Sequence, residues 1–398
     1  MALPGTVTPA APTTQGAPKV VPVIPFTRAA LTKSAAVGSS GPTTLGAAAI
    51  TTLQAIQIPP SGFLRRLKVN VSGVTAGNAA AVVFNGDGPF NVLQQISVNQ
   101  PNGTPIYQPI DGFDLYVINK YFAMGTDRRD PLADPNYSVT AGAGATGGSF
   151  NFNLDVPFEM DERDGLGALM NMVANSAYAI TANLAPTSTL YTTAPTTAPA
   201  VTLTWIMEYY SAPAPSSGNS AVQQVAPTPN GSLVLIQTQT PIIAANATGK
   251  FKLTNVGNVV RALGFIARTA AGVRTETDWP ATVDIKWLGD VRFHKTKQNW
   301  RKQMADEYGY TAGITATPTL NSLDNGVYIL TDFMNAGSSG NAKVSGGANR
   351  DRLLITNDAS LFEFEAITAW GATASTLKIL WNLINPSSLE ALFHPFVN

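Results

Sequence analysis

The chain has 398 residues, with 25 basic and 25 acidic side chains, no cysteine, and two histidines, His294 and His394. This composition excludes disulfides, thiol catalysis and thiolate metal sites, leaves a histidine triad or His-rich metal site almost without material, and lacks the Lys/Arg stripe of a nucleic-acid binder. Charged residues are 13% of the chain, about half the roughly 25% of typical globular proteins, and zero net charge removes the self-repulsion that keeps lone proteins apart.

Residues 1–50 are rich in Ala, Pro, Thr and Gly. Within them PKVVPVIPF (18–26) alternates proline with β-branched residues, which predicts extended backbone. The segment reads either as a free tail or as an arm lying along a neighbouring subunit, and VVPVIPF is more apolar than a free tail requires. Lys19, Arg28 and Lys33 sit beside it. The first residues lack a charged stretch followed by an apolar core, and no run of about 18 apolar residues follows, so neither a secretory leader nor a membrane span is expected.

From residue 51 the chain alternates as strands do. FLRRLKVNVSGV (63–74), NVLQQISV (91–98), SFNFNLDV (149–156), YAITANL (178–184) and TLTWIMEYY (202–210) are β-branched or aromatic and bounded by turn residues. Two helices are predicted among them: GFDLYVINKYFAM (112–124), rich in tyrosine, and ERDGLGALMNMVAN (162–175). The stretch 212–231 is a linker by composition. Strands then resume in the same order. KFKLTNV (250–256) and VRALGFIAR (260–268) echo FLRRLKV, VDIKWLGDV (283–291) echoes NVLQQISV, and KTKQNWRKQMADEYGY (295–310) stands where the tyrosine-rich helix stood. GVYILTDF (326–333), LFEFEAI (361–367) and TLKILWNLI (376–384) complete the second set. The period is roughly 175–195 residues, drifting with loop length. The expected organisation is an arm at 1–50 and two similar all-β units, 51–225 and 226–398.

Chemistry-bearing clusters are few. Asp127, Asp130 and Asp134 share a loop that could offer oxygens to calcium, but it lacks the EF-hand pattern and reads as an Asx/Pro turn. Asp155, Glu159, Asp161 and Glu162 could hold a glycosidase pair; acids at a helix start also complement its dipole. Trp279, Trp287, Trp370 and Trp381 are what a sugar-binding groove would need, although strand-like surroundings suit the core equally. The basic run 295–303 reads as a solvated helix face. Phe393 and Phe396, near the C-terminal end of the sequence, must be buried on their own unit or on a neighbour. No catalytic residue, metal site or cofactor is expected.

The stretch GPFNVLQQISVNQPNG followed by the tyrosine-rich helix, the strand–break–strand segment FNLDVPFEMDERDGLGALMNMVANSAYAITANL, and the tandem duplication together resemble the double jelly-roll major capsid proteins of tectivirus-like, internal-membrane phages, distantly related to the adenovirus hexon. The resemblance spans roughly residues 50–390 and leaves the arm outside it. It implies two eight-stranded jelly rolls side by side. It also implies a homotrimer forming a pseudo-hexagonal capsomer that tiles an icosahedral virion shell, with neighbouring capsomers, penton and minor capsid proteins as partners. On that reading the protein is synthesised in the host cytoplasm, is not an enzyme, and meets an internal membrane through Lys19, Arg28 and Lys33, while the tyrosine-rich helix lies where neighbours meet. A receptor-recognition sandwich that binds sugar is the alternative.

Overall fold

The structure, a computed structural model, describes residues 23–25, 30–76, 78–122, 130–159, 165, 167–173, 177–211, 223–225, 234–309, 322–330, 354–356 and 361–384. Among them the first half supplies eight principal strands: β1 (Thr32–Thr44), β2 (broken into Thr51–Thr52 and Ile56–Gln57), β3 (Gly62–Val74), β4 (Leu93–Asn99), β5 (Pro105–Ile110), then helix α1 (Gly112–Tyr121), β6 (Phe150–Pro157), β7 (Ala179–Leu184) and β8 (Ala200–Tyr210). The second half repeats the series as β9 (Val234–Gln239), β10 (Gly249–Lys252), β11 (Val259–Thr269), β12 (Thr282–Trp287), β13 (Asp290–Thr296), helix α2 (Lys297–Tyr308), β14 (Val327–Leu330), β15 (Phe362–Ala366) and β16 (Ala374–Ile384).

Strand pairing makes the repeat topological. The first half forms one sheet in the order β1-β8-β3-β6 and another in the order β2-β7-β4-β5; the second half forms β9-β16-β11-β14 and β10-β15-β12-β13. Adding eight to each label converts one half into the other, and each half is an eight-stranded jelly roll. The pairing registers agree as well. Ile206 lies between Ala36 and Lys68, while Leu380, at the matching place, lies between Thr238 and Gly264.

Alternation explains the sandwich. In β3, Leu67, Val69 and Val71 are buried while Arg66, Lys68, Asn70 and Ser72 between them face outward. A bulge in β3 lets Tyr209 pair with Leu64 immediately after Glu208 pairs with Arg66. The extra residue, Arg65, is buried with its guanidinium over the Tyr210 ring at 4.6 Å. In the second roll the core is aromatic: Trp279 stacks on Tyr328 at 4.1 Å, and Trp300, Trp370, Phe265 and Phe364 close around them. One strand pair fuses the rolls, β5 running parallel to β9 with Tyr107 opposite Ile236.

Several expectations change. The helix expected over 162–175 is not present at its described end, where Leu169–Asn171 is a strand paired with Gly62, Phe63 and Leu64. Gly165 and Gly167, at φ 70° and 89°, break the helical path before it. The segment 283–291, expected as one strand, is a hairpin turning at Leu288 and Gly289, both at positive φ. KFK of 250–256 lies in β10, which pairs with β15, so it is not a second copy of β3. Thr32–Thr44, included in the expected arm, is an edge strand that pairs along its length with β8. Farther upstream Val23–Pro25 runs parallel to Gln223–Val225, within the expected linker.

Candidate functional site

The tyrosine-rich helix answers what its segment is for. α1 starts in a capping box: the Asp111 carboxylate accepts from the Asp114 backbone N–H at 2.7 Å, and the Asp114 carboxylate accepts from the Asp111 N–H at 3.1 Å. Gly112 follows because a Cβ there would collide with the Phe90 carbonyl oxygen. Phe113, Leu115, Tyr116, Val117, Ile118, Lys120 and Tyr121 are all buried, and only Asn119 is half-open. A helix buried on every side needs a body on each side. One is its own roll, where Phe90 stacks on Tyr116 at 4.7 Å. The other is the outward face of β9-β16-β11-β14, where Gly264 leaves room for the Phe122 ring between Ile329 and Leu380.

Three ionic clusters cross this junction. Lys120 Nζ lies 2.9 Å from Asp324 Oδ2 and 3.1 Å from Asp130; the Tyr116 hydroxyl donates to Asp324 at 3.0 Å, and the Tyr121 hydroxyl donates to it too. Lys378 Nζ contacts Asp111 at 2.7 Å and Asp114 at 2.5 Å. Asp87 receives Arg268 at 2.6 Å and Arg274 at 2.9 Å, and the Arg274 guanidinium lies over the Phe113 ring at 4.6 Å. Burial pushes the Asp87 carboxyl up, but the two guanidiniums outweigh it and hold it down at about 2. Burial, then repulsion from Asp111, raises Asp114 to about 6 despite Lys378, because two carboxylates share one ammonium. Burial and the Asp324 charge raise the Tyr116 phenol. These groups clamp one roll to the other. Asp130, 30% exposed, borders an open groove, whereas Lys120 and Asp324 are buried in the junction, and breaking such pairs strands buried charge.

The residues expected to carry chemistry are placed otherwise. Glu159 is buried, bound by Arg65 at 2.7 Å and by the Tyr210 hydroxyl at 2.6 Å, and so ties β3 to β8. Asp155 sits on β6 and faces Arg66 at 3.7 Å. Asp130 caps a short turn by accepting from the Leu132 N–H, and Asp134 accepts from the Asn136 N–H and from Asn153. Trp279, Trp370 and Trp381 are buried; Trp287 is half-buried against Phe362. His294 pairs with Asp284 at 2.6 Å. In α2, Lys297 and Arg301 turn to the buried Glu276, whereas Lys302 and Asp306 are exposed and pair with each other. Lys33 is exposed on β1. Lys19, Arg28, Asp127, Asp161, Glu162, Phe393, Phe396 and His394 lie outside the described residues.

Asp87, Arg274, Glu276 and Asp324 escaped sequence reasoning. Asp87 and Asp324 stand alone among apolar or turn residues, Arg274 and Glu276 sit together in VRTETD, and the decisive partners of all four come from distant segments. One signal was available: Asp and Lys spaced through a helix otherwise apolar on all faces. Beside the junction, the outward face of β1-β8-β3-β6 is half-open and borders a groove of about 540 Å³ lined by Lys68, Asn70, Asn119, Asp130, Asp155 and Ile206, among others.

No protein-family model and no curated protein sequence matches the chain. Solved structures do resemble it. An atomic structure of Sulfolobus Turreted Icosahedral Virus matches with a TM-score of 0.58 at 14% identity, over 92% of this chain and 96% of that chain. A crystal structure of the STIV MCP matches at 0.55 and 14% identity, over 89% and 97%. The PBCV-1 virus capsid, a quasi-atomic model, matches at 0.53 and 14%, over 90% and 95%. At such identity the likeness is one of fold, and the fold of this chain is the double jelly roll.

Proposed function

We propose that this chain is the major capsid protein of an icosahedral virus, a structural and non-enzymatic component of the virion. The observation that carries the reading is the pair of topologically identical rolls locked by a buried junction. One chain thereby presents two similar walls at a set angle, and three chains would enclose an axis with six of them. A closed block of this kind tiles a shell. The likeness to virus capsid structures over nearly the whole chain supports the same conclusion. So does the engagement of Asp155 and Glu159 in ion pairs within the fold. A sugar-binding sandwich is disfavoured because three of its four candidate tryptophans are buried.

On this reading the chain divides into two rolls preceded by an arm, forms homotrimers in the host cytoplasm, and meets neighbouring capsomers, penton and minor capsid proteins in the virion. Lys19, Arg28 and Lys33 would touch an internal membrane, each cation near an anionic surface contributing about 1 kcal/mol, and Phe393 and Phe396 would bury against a neighbouring subunit. Light scattering and negative-stain images of purified protein test the proposal. A trimer of 41.8 kDa chains that forms hexagonal blocks or shells is expected, and a stable monomer at micromolar concentration would sink it. Changing the three cations to Gln should weaken trimer binding to anionic liposomes at low salt. Unchanged binding would remove the lipid role.

A further inference from the structure

The two rolls are alike in topology but unlike in what covers them. α1 is buried on every side because the outward face of the second roll's β9-β16-β11-β14 sheet packs on it. α2 occupies the matching place in the second roll, yet Gln298, Asn299, Lys302, Ala305 and Asp306 are exposed. The sheet faces differ in the same sense. Across the second roll the row Ile329–Gly264–Leu380 is buried beneath Phe122. By strand register the same row in the first roll is Asp155–Lys68–Ile206. It is half-open, borders the 540 Å³ groove, and carries Ile206 39% exposed on a polar face. The strand edges repeat the asymmetry. β5 is paired by β9, whereas the outer edges of β13 and β1 have no partner among the described strands.

We propose that the outward face of β1-β8-β3-β6 is the seat for α2 and the β13 edge of a second copy of this chain, a between-chain repeat of the junction that α1 and β5 make within the chain. The proposal rests on the capsid reading and assigns its contact surface. Three observations favour a second copy over another occupant. The covered version of this face already holds the topological equivalent of α2. Both surfaces balance their charges internally, Lys302 with Asp306 on α2 and Lys68 with Glu208 and Arg66 with Asp155 on the sheet, so neither repels the other. The polar character of both surfaces also suits chains that fold alone before they meet, whereas the within-chain junction is apolar with buried charge. The contact joins two different patches, so it repeats head to tail and must either close or polymerise. Three chains close it on the capsid reading.

The chain lacks cysteine, which gives a clean test. Ile206→Cys and Asp306→Cys alter exposed side chains, Asp306 being 62% open, so folding is not at stake. The single and double variants are treated with a short bismaleimide and resolved on denaturing gels, with light scattering alongside. The expected result is covalent dimer from the two single variants mixed, covalent dimer and trimer from the double variant ending at three chains, and no product from either single variant alone. A trimer in solution that yields no covalent product overturns this seat and leaves the capsid reading standing. A monomer that yields none overturns both. A ladder running past three keeps the seat and removes the ring.

Discussion

Lys120 and Asp324 stand 204 residues apart in the chain, and their charges meet at 2.9 Å in the junction, with side chains 2% and 1% exposed. Two tyrosine hydroxyls donate to the same carboxylate. Asp324→Ala leaves the ammonium buried without this partner and should cost about 3–5 kcal/mol. Adding Lys120→Met to Asp324→Asn removes both charges while keeping an acceptor for the tyrosines, and it should restore most of the loss. Urea denaturation midpoints of the variants check both outcomes.

The Asp87 pair predicts an acid-side loss. Its carboxyl titrates at about 2 in the fold against an ordinary 3.8, so its contribution is complete above about pH 4 and is lost as pH falls from there through 2. The size is roughly 2 kcal/mol, at about 1.4 kcal/mol per pH unit. The stability gap between the parent and Asp87→Asn should therefore be flat above about pH 4 and narrow towards pH 2.

Asp114 carries the opposite sign. Its folded-state value is raised to about 6, so its contribution is present below about pH 4 and is lost as pH rises through 6. Measured by urea titration between pH 4 and 7, the stability of the parent relative to Asp114→Asn should fall across that window. A gap that grows with pH would contradict the burial and Asp111 repulsion argued for this group.

Gly112 is required by a neighbour and not by its backbone angle. Gly112→Ala drives a methyl into the Phe90 carbonyl and should cost about 1–3 kcal/mol. Thermal unfolding monitored by near-ultraviolet circular dichroism reads the shift, with the tyrosines of α1 as the reporter.

Glu159 separates a structural role from a catalytic one. Glu159→Gln keeps the shape but loses the charge that Arg65 faces at 2.7 Å; about 3 kcal/mol of destabilisation is expected from a buried pair broken on one side. Screening the parent and this variant against glycan panels should give no hydrolysis in either. A hydrolysis lost in the variant would overturn the structural reading.

Much of the architecture was legible in the sequence because strand alternation is a local signal. Leu67, Val69 and Val71 mark the buried face of β3 without reference to any partner, and the repeated order of strand, strand, helix and three strands announced two rolls. The tyrosine-rich helix was legible over 112–124, and the structure has it at Gly112–Tyr121, its capping box at Asp111 and Asp114 seen only in the fold. Errors arose where a local pattern carried two meanings. The run at 162–175 has helical composition, but Gly165 and Gly167 turn the chain and β3 recruits Leu169–Asn171 as a strand. Within VDIKWLGDV a turn hides between two strand-forming runs.

The sequence by itself determined the strands, their faces and the duplication, since each depends on neighbours a few residues away. Only the tertiary structure decided that α1 is a strut between the rolls, that Asp87, Asp324 and Lys378 are its clamps, and that one roll's outer face is covered while the other's is open. Those outcomes depend on charges and surfaces brought together from segments far apart in the chain, and no local pattern records which of them will meet.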